Sequence, residues 1–222
     1  MHRTIEPPIL YFGTPVVLIG TRNQDGTPNL APMSSAFWLG WRCVLGIAAS
    51  SRTYENLMRS RECVINLPSA GQVAAVNRLA LTTGSDPVPE RKQARGYRHV
   101  ADKFAAAGFS EAASERVSPP RVRECPIQLE AVVEGSYALA RDTEGLSGFV
   151  VCFETRILRV HADDAVLAAG EANRIDPDRW RPLIMSFQRF YGLGPELQAS
   201  TLANIPERSY YTPDIDRARA GT

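Results

Sequence analysis

Asn29-Leu-Ala-Pro-Met-Ser-Ser-Ala-Phe-Trp38, followed by Ala48-Ala-Ser-Ser-Arg-Thr-Tyr-Glu-Asn56, decides how this chain is read. The first segment puts Ser34 and Ser35 among large apolar side chains on a strand over Met33 to Trp38, where an unpaired hydroxyl is costly to bury. The second closes the apolar run Arg42-Cys-Val-Leu-Gly-Ile47 with hydroxyls, a guanidinium and a helix start. Bonds to neighbouring backbone and ordinary helix capping would satisfy some of these groups. Capping needs Thr53 or Ser51, however, and leaves Arg52 and two further hydroxyls unexplained. Strand amides, hydroxyls, one guanidinium and the free N–H groups of a helix N-terminus can together hold a flat heteroaromatic ring and, beside it, a phosphate tail.

On the N-terminal side, Met1 to Thr14 is broken by Pro7-Pro8 and is expected to lie as an arm without regular structure. Pro15 to Thr21 is a β-rich apolar run, and Asp25-Gly26 is the turn that folds it back into a strand beginning at Asn29. Trp41 to Ala49 is a further strand, in which Gly46 marks a bulge or a close approach. Thr53 is expected as N-cap of a helix with Tyr54, Leu57 and Met58 on one face. Glu62 to Leu67 reads as a strand and Gly71 to Leu81 as an Ala-rich helix. Thr82 to Arg98 shifts to Gly, Pro and charge, the composition of a long surface excursion. A short helix follows over Ala101 to Phe104, ahead of Gly108. Cys125 to Val133 and Phe149 to His161 read as two long antiparallel strands, which suit closure of a Greek-key barrel. Thr201 to Thr222 is polar and is expected to be an extended tail.

The 222 residues suit one domain, residues 1–222, with an arm over 1–14 and a tail over about 195–222. A net charge of +1 with interspersed signs excludes a basic face for nucleic acid and an acidic block for basic partners. No run of about twenty apolar residues spans a membrane, and no signal peptide begins the chain. The expected location is the cytoplasm, with Cys43, Cys63, Cys125 and Cys152 reduced. His99 and His161 have no second ligand at metal spacing, so no metal site is expected. No Ser-His-Asp or Cys-His pattern and no P-loop is present, and the catalytic residues are left unassigned.

Asn29-x-Ala31-Pro32-x-Ser34-Ser35, then Ser50-Ser51-Arg52-Thr53-x-x-Asn56, then Glu62-Cys-Val-Ile-Asn-Leu-Pro68 resembles the flavin reductase-like, FMN-binding split-barrel family that includes flavoredoxin. The resemblance implies a mainly β fold with helices, a split β-barrel of Greek-key type in the α+β class. It implies FMN as cofactor. The ring would lie along Asn29, Ala31, Pro32, Met33, Ser34 and Ser35, the ribityl phosphate would be held by Ser50, Ser51, Arg52, Thr53 and Asn56, and Ala49 is a further cofactor-binding position. Lys103 and Tyr191 are carried over on the family's Lys-Phe helix and Tyr–Gly tail. It further implies a homodimer that passes electrons from a reduced donor, NADH or NADPH, to free flavin or another small acceptor. The Gly-Asp-His triplet that smaller two-component reductases carry near the nicotinamide is missing, since His161 stands between Val160 and Ala162. An electron carrier or sensor that binds flavin without NAD(P)H turnover is therefore the alternative.

Overall fold

The apolar runs become strands of one antiparallel sheet in the computed structural model of the chain, which describes residues 1–221. In chain order β1 is Phe12–Pro15, β2 Val17–Arg22, β3 Pro28–Met33, β4 Ala36–Leu39, β5 Arg42–Ala48, β6 Glu62–Leu67, β7 Ile127–Ala138, β8 Val150–Ala162, β9 Leu183–Ser186 and β10 Arg189–Gly192. Seven of these form the main sheet in the order β3-β2-β6-β7-β8-β5-β4. Strands β3 and β4 occupy opposite edges, yet only Ser34 and Ser35 separate them in the chain. The two edges must therefore meet, and the sheet curls into a split barrel. At the seam the Gly46 N–H donates to the Ser35 carbonyl at 2.8 Å. Gly46 is thus a close approach, because a Cβ there would lie 3.1 Å from the Ser35 Cβ. The continuous strand expected over Met33 to Trp38 is interrupted at this same point.

Strand β2 shows why the barrel has two apolar layers. Its side chains alternate: Val17 and Ile19 enter the barrel with Leu45, Ile65 and Phe153, whereas Leu18 joins Leu30, Val76, Leu79, Phe104 and Leu183 outside it. Each fully buried aliphatic side chain contributes about 1.5–3 kcal/mol of transfer free energy, so both faces hold the strand in register. The outer layer is covered by α2 (Val73–Arg78) and α4 (Lys103–Ala107). Helix α2 is shorter than the expected 71–81, because a 3-10 turn at Ala70–Gln72 precedes it and Leu79 caps it.

Helix α1 (Arg52–Ser60) is capped by Ser51, not Thr53: the Ser51 hydroxyl accepts the Tyr54 N–H at 3.1 Å. Its buried face is Thr53, Asn56 and Leu57, with Tyr54 packed edge-on against Phe153, while Met58 is exposed. The face is rotated from the expected one because the strands beneath are polar there. The Asn56 amide donates to Thr21 Oγ1 and Asn23 Oδ1 at 3.0 and 2.9 Å.

Both chain ends are more ordered than their composition suggests. The last residues of the expected arm form β1, which pairs with β9, and β9 pairs with β10. The expected extended tail instead forms two 3-10 turns and α5 (Pro213–Ala220). Thr222, the end of that tail, lies outside the described residues. Helix α5 is fastened by Asp214, whose carboxylate accepts the Arg42 Nε–H at 2.9 Å, and Arg42 reaches Glu154 at 2.5 Å. Asp214→Ala should release α5 and cost about 1–3 kcal/mol, the penalty for a partly buried charge left unpaired. Faster tryptic cleavage at Arg217 is the measurement that checks it. No helix among the described residues is long and apolar enough to cross a membrane.

Candidate functional site

A cavity of about 640 Å3 lies where the barrel splits. One wall is the end of β3, with Asn29, Ala31, Pro32, Met33 and Ser34; the facing wall is Gly46, Ile47 and Ala48 of β5. Ser51, Arg52 and Thr53 at the start of α1 stand at its side. In the first turn of that helix the N–H groups of Arg52 and Thr53 have no place in the intrahelical pattern and face outward along a favourable dipole.

The remaining wall comes from the excursion, which the sequence reading set apart from the site, and from the hairpin that carries Tyr191. The excursion after Leu81 is no loose loop: Thr82–Thr83 pairs in parallel with Arg98–His99 around the short helix α3 (Glu90–Gln93). Thr83, Gly84, Lys92 and Tyr97 thereby reach the cavity. Gly84 is needed at its place, since a Cβ would sit 2.6 Å from Asn29 Oδ1. The hairpin β9–β10 adds Met185, Gln188 and Phe190. Its tip, Phe187-Gln188, has positive φ at both residues, and Phe187 packs edge-on against Phe12.

The cations of this cavity are unusual in their surroundings. Lys103, at the start of α4, is 3% exposed, and its ammonium has no hydrogen-bond or ion-pair partner among the described residues. Burial, with the nearby Lys92 charge adding to it, lowers its amine to about 8. Burial also lowers the Lys92 amine, whose Nζ lies 3.3 Å from Thr83 Oγ1. Arg52 gives its Nε–H to the Gly84 carbonyl at 3.2 Å and its Nη1 to Glu55 at 2.5 Å. Among the described residues no Asp or Glu lines the cavity. An interior of this size in which the buried Lys103 ammonium has no counter-charge is suited to an anion that comes from outside.

Several expected site residues are engaged with one another. Asn29 donates to Thr21 Oγ1 and Thr53 Oγ1 at 3.1 and 3.2 Å, and Asn56 sits behind them, fully buried, away from the cavity lining. The Asn29 Oδ1 is buried without a hydrogen-bond partner among the described residues. Ser35 and Ser50 are exposed, and neither they nor Ala49 line the cavity. Tyr191 is 51% exposed and points off the hairpin, so the cavity receives its neighbour Phe190, as side-chain alternation along a strand requires. His161 is not in the cavity either. Its Nε2 lies 2.7 Å from Glu130 Oε1, and that fully buried carboxylate also accepts the N–H groups of Glu115, Arg116 and Val117. The Cys43, Cys63 and Cys125 thiols are buried and pushed up by that burial, Cys43 to about 12, which suits small packing groups.

A curled antiparallel sheet with an apolar, cation-bearing cleft at its seam defines a class of split-barrel proteins, and the chain belongs to the flavin reductase-like family, whose domain model matches residues 9–194. Uncharacterized protein YdfE of Bacillus subtilis (strain 168) is 38% identical over 195 residues, which cover 88% of this chain and 91% of that protein. Among solved structures, flavoredoxin of Desulfovibrio vulgaris (Miyazaki F) superposes with a TM-score of 0.72 at 20% identity, covering 92% of this chain and 100% of that one. Nitrilotriacetate monooxygenase component B from Bacillus cereus gives 0.68 at 21% identity, covering 86% and 89%.

Proposed function

We propose that the chain is an FMN-binding oxidoreductase of the flavin reductase type, which takes electrons from a reduced donor, NAD(P)H, and passes them to free flavin or another small acceptor. The observation that carries this reading is the unpartnered Lys103 ammonium, with Lys92 and Arg52, in a cavity of about 640 Å3 without a carboxylate. These cations match a phosphate monoester, and the cavity volume accommodates a three-ring heterocycle. Ser51, Arg52, Thr53, Lys92 and Lys103 would hold the phosphate. The backbone of Ala31 to Ser34 would lie along the ring edge. Phe190, Met185 and Tyr97 would border the ring with apolar surface. When bound, the flavin itself supplies the redox chemistry, and the residues position it and exclude water. A homodimer in the cytoplasm is part of the same reading.

The test is an absorbance spectrum of the pure protein with added FMN, recorded before and after NADH and NADPH. Visible flavin bands that bleach with either nucleotide support the proposal. Bands that persist favour the flavin-binding carrier or sensor, and a protein that takes up no FMN overturns both. Arg52→Ala should weaken FMN binding about tenfold, because a charge-assisted contact to phosphate contributes about 1.5–3 kcal/mol. Folding should change little, since the Arg52 partners are an exposed i,i+3 carboxylate and one carbonyl. Equal FMN content in the purified variant would remove Arg52 from the site.

A further inference from the structure

Lysine is scarce in this chain. Of its 25 Lys and Arg residues only Lys92 and Lys103 are lysine, and both line the cavity at the seam of the barrel. Arginine supplies the rest of the basic side chains. Phosphate is held as well by arginine, so anion binding alone does not explain why both lysines stand here. The two side chains differ in one respect that bears on chemistry: a guanidinium keeps its proton in a protein, whereas a buried ammonium gives it up and becomes a nucleophile.

The surroundings of Lys103 suit that use. Its side chain is 3% exposed and has no hydrogen-bond or ion-pair partner among the described residues, so nothing holds the proton in place. Burial and the charge of Lys92 bring the amine to about 8, and near that pH about half of it is free base, against about one part in 300 for a lysine at 10.5. Lys92 differs from it. That side chain is half-buried and its Nζ has an acceptor, Thr83 Oγ1 at 3.3 Å. Lys92 and Arg52 are thus left to hold an anion beside the free amine, while Tyr97, Met185 and Phe190 offer apolar surface to the body of a ligand.

We propose that Lys103 is a carbonyl-reactive site, which takes up a small anionic aldehyde as a reversible imine, with the anionic group of the aldehyde at Lys92 and Arg52. The lone pair of the amine attacks the carbonyl carbon and a C–N bond forms; both amine protons then leave with the carbonyl oxygen as water, and no oxidant or reductant takes part. Water reverses the step. The site does not depend on flavin for its chemistry. A flavin phosphate in the same cavity would compete for the space and, as a nearby negative charge, would favour the unreactive ammonium.

The experiment incubates the full chain, stripped of any bound flavin, with millimolar pyridoxal 5′-phosphate as the probe, fixes the imine with borohydride and locates the label by peptide mass. One label per chain at Lys103 is expected, at a rate that is half-maximal near pH 8. Pyridoxal, which lacks the phosphate, should react at least about tenfold more slowly, the loss of one charge-assisted contact. With Lys92 as the one other lysine, the peptide map separates Lys103 from Lys92 and from the amino terminus without any variant. Lys103→Arg, which keeps the charge, should remove the label. A label confined to Lys92 or the amino terminus, pyridoxal reacting as fast as its phosphate, or no label at all overturns the inference. A parallel sample with saturating FMN, its uptake read by absorbance, separates this inference from the flavin reading. Lys103 labelling without FMN uptake removes the flavin reading alone; FMN uptake with no Lys103 label in the flavin-free sample removes this inference alone; and FMN uptake that slows the label about tenfold supports both.

Discussion

Lys103→Met should make the ligand-free protein more stable and, at the same time, weaken its binding of FMN. The side chain is 3% exposed and unpartnered, so the folded state carries a charge it would be better without. The amine falls from 10.5 to about 8 on folding, which corresponds to roughly 2–4 kcal/mol of penalty while the group is charged. Methionine keeps the unbranched stem and removes the charge. The FMN arm should lose about ten- to a hundredfold in affinity, the effect of a desolvated charge-assisted contact. A residue present only for packing would not give these opposite signs. The pH dependence follows from linkage. Below about pH 8 both folded and unfolded lysine are charged and the penalty is complete. Between about 8 and 10.5 the folded state sheds the proton while the unfolded state keeps it, so the penalty fades. The stability gap between Lys103→Met and the parent should therefore be widest at neutral pH and close by 10.5. Urea denaturation of both proteins across that range measures it, and the buried thiols, common to both, cancel in the difference. A variant less stable than the parent at pH 7 would contradict the unpaired-ammonium reading.

Glu130→Ala should be the most destabilising single change outside the apolar core. The carboxylate is fully buried and accepts N–H groups of Glu115, Arg116 and Val117 together with the His161 ring, while Arg121 lies 3.9 Å away. Removing it leaves three partly buried loop N–H groups without their acceptor and takes the nearest carboxylate from Arg121, which keeps its bonds to Ala113 and Gln128; about 2–4 kcal/mol is the expected cost. Burial acts to raise this carboxyl, but the His161 hydrogen bond and the loop amides outweigh it and hold it below 4.5. A carboxyl lowered on folding contributes stability above its unfolded value and loses it as pH falls through the folded one. Acid unfolding of the parent should accordingly show a stabilising contribution that disappears below pH 4.5 and is missing in the variant. A loss under about 1 kcal/mol in urea, a typical surface change, would show the loop to be held by other contacts.

The barrel strands were legible because their apolar runs are long and bounded by turns. Glu62–Leu67 emerged with the expected limits, and Asp25-Gly26 makes the turn between β2 and β3. One edge of the site was legible for the same reason: Ala31 to Ser34 and Ser51 to Thr53 lie where strand ends and a helix start had to put them. The opposite wall was not. Lys92 and Tyr97 sit in a segment whose Gly, Pro and charge signal only the absence of a core. What brings them to the cavity is a pairing of Thr82–Thr83 with Arg98–His99, which no local periodicity encodes. Tyr191 and Phe190 differ by one position on a strand, and the register that decides between them is set by β9. Asn56 was named as the end of the family-like Ser50-Ser51-Arg52-Thr53-x-x-Asn56 motif; the structure buries it against Thr21 and Asn23, away from the cavity lining.

The wall made by the β9–β10 hairpin has a consequence for how the protein comes into being. Met185 and Phe190 are held against the cleft by β9, whose other neighbour is β1, near the opposite end of the polypeptide. Contacts of such long sequence separation form slowly, because the intervening chain must first be gathered in. A ribosome-bound intermediate that already contains the barrel strands lacks one side of its cleft until residue 192 has emerged. The cleft is thus completed near the end of synthesis, and under the flavin reading proposed above a ligand bound there would stabilise the finished molecule alone.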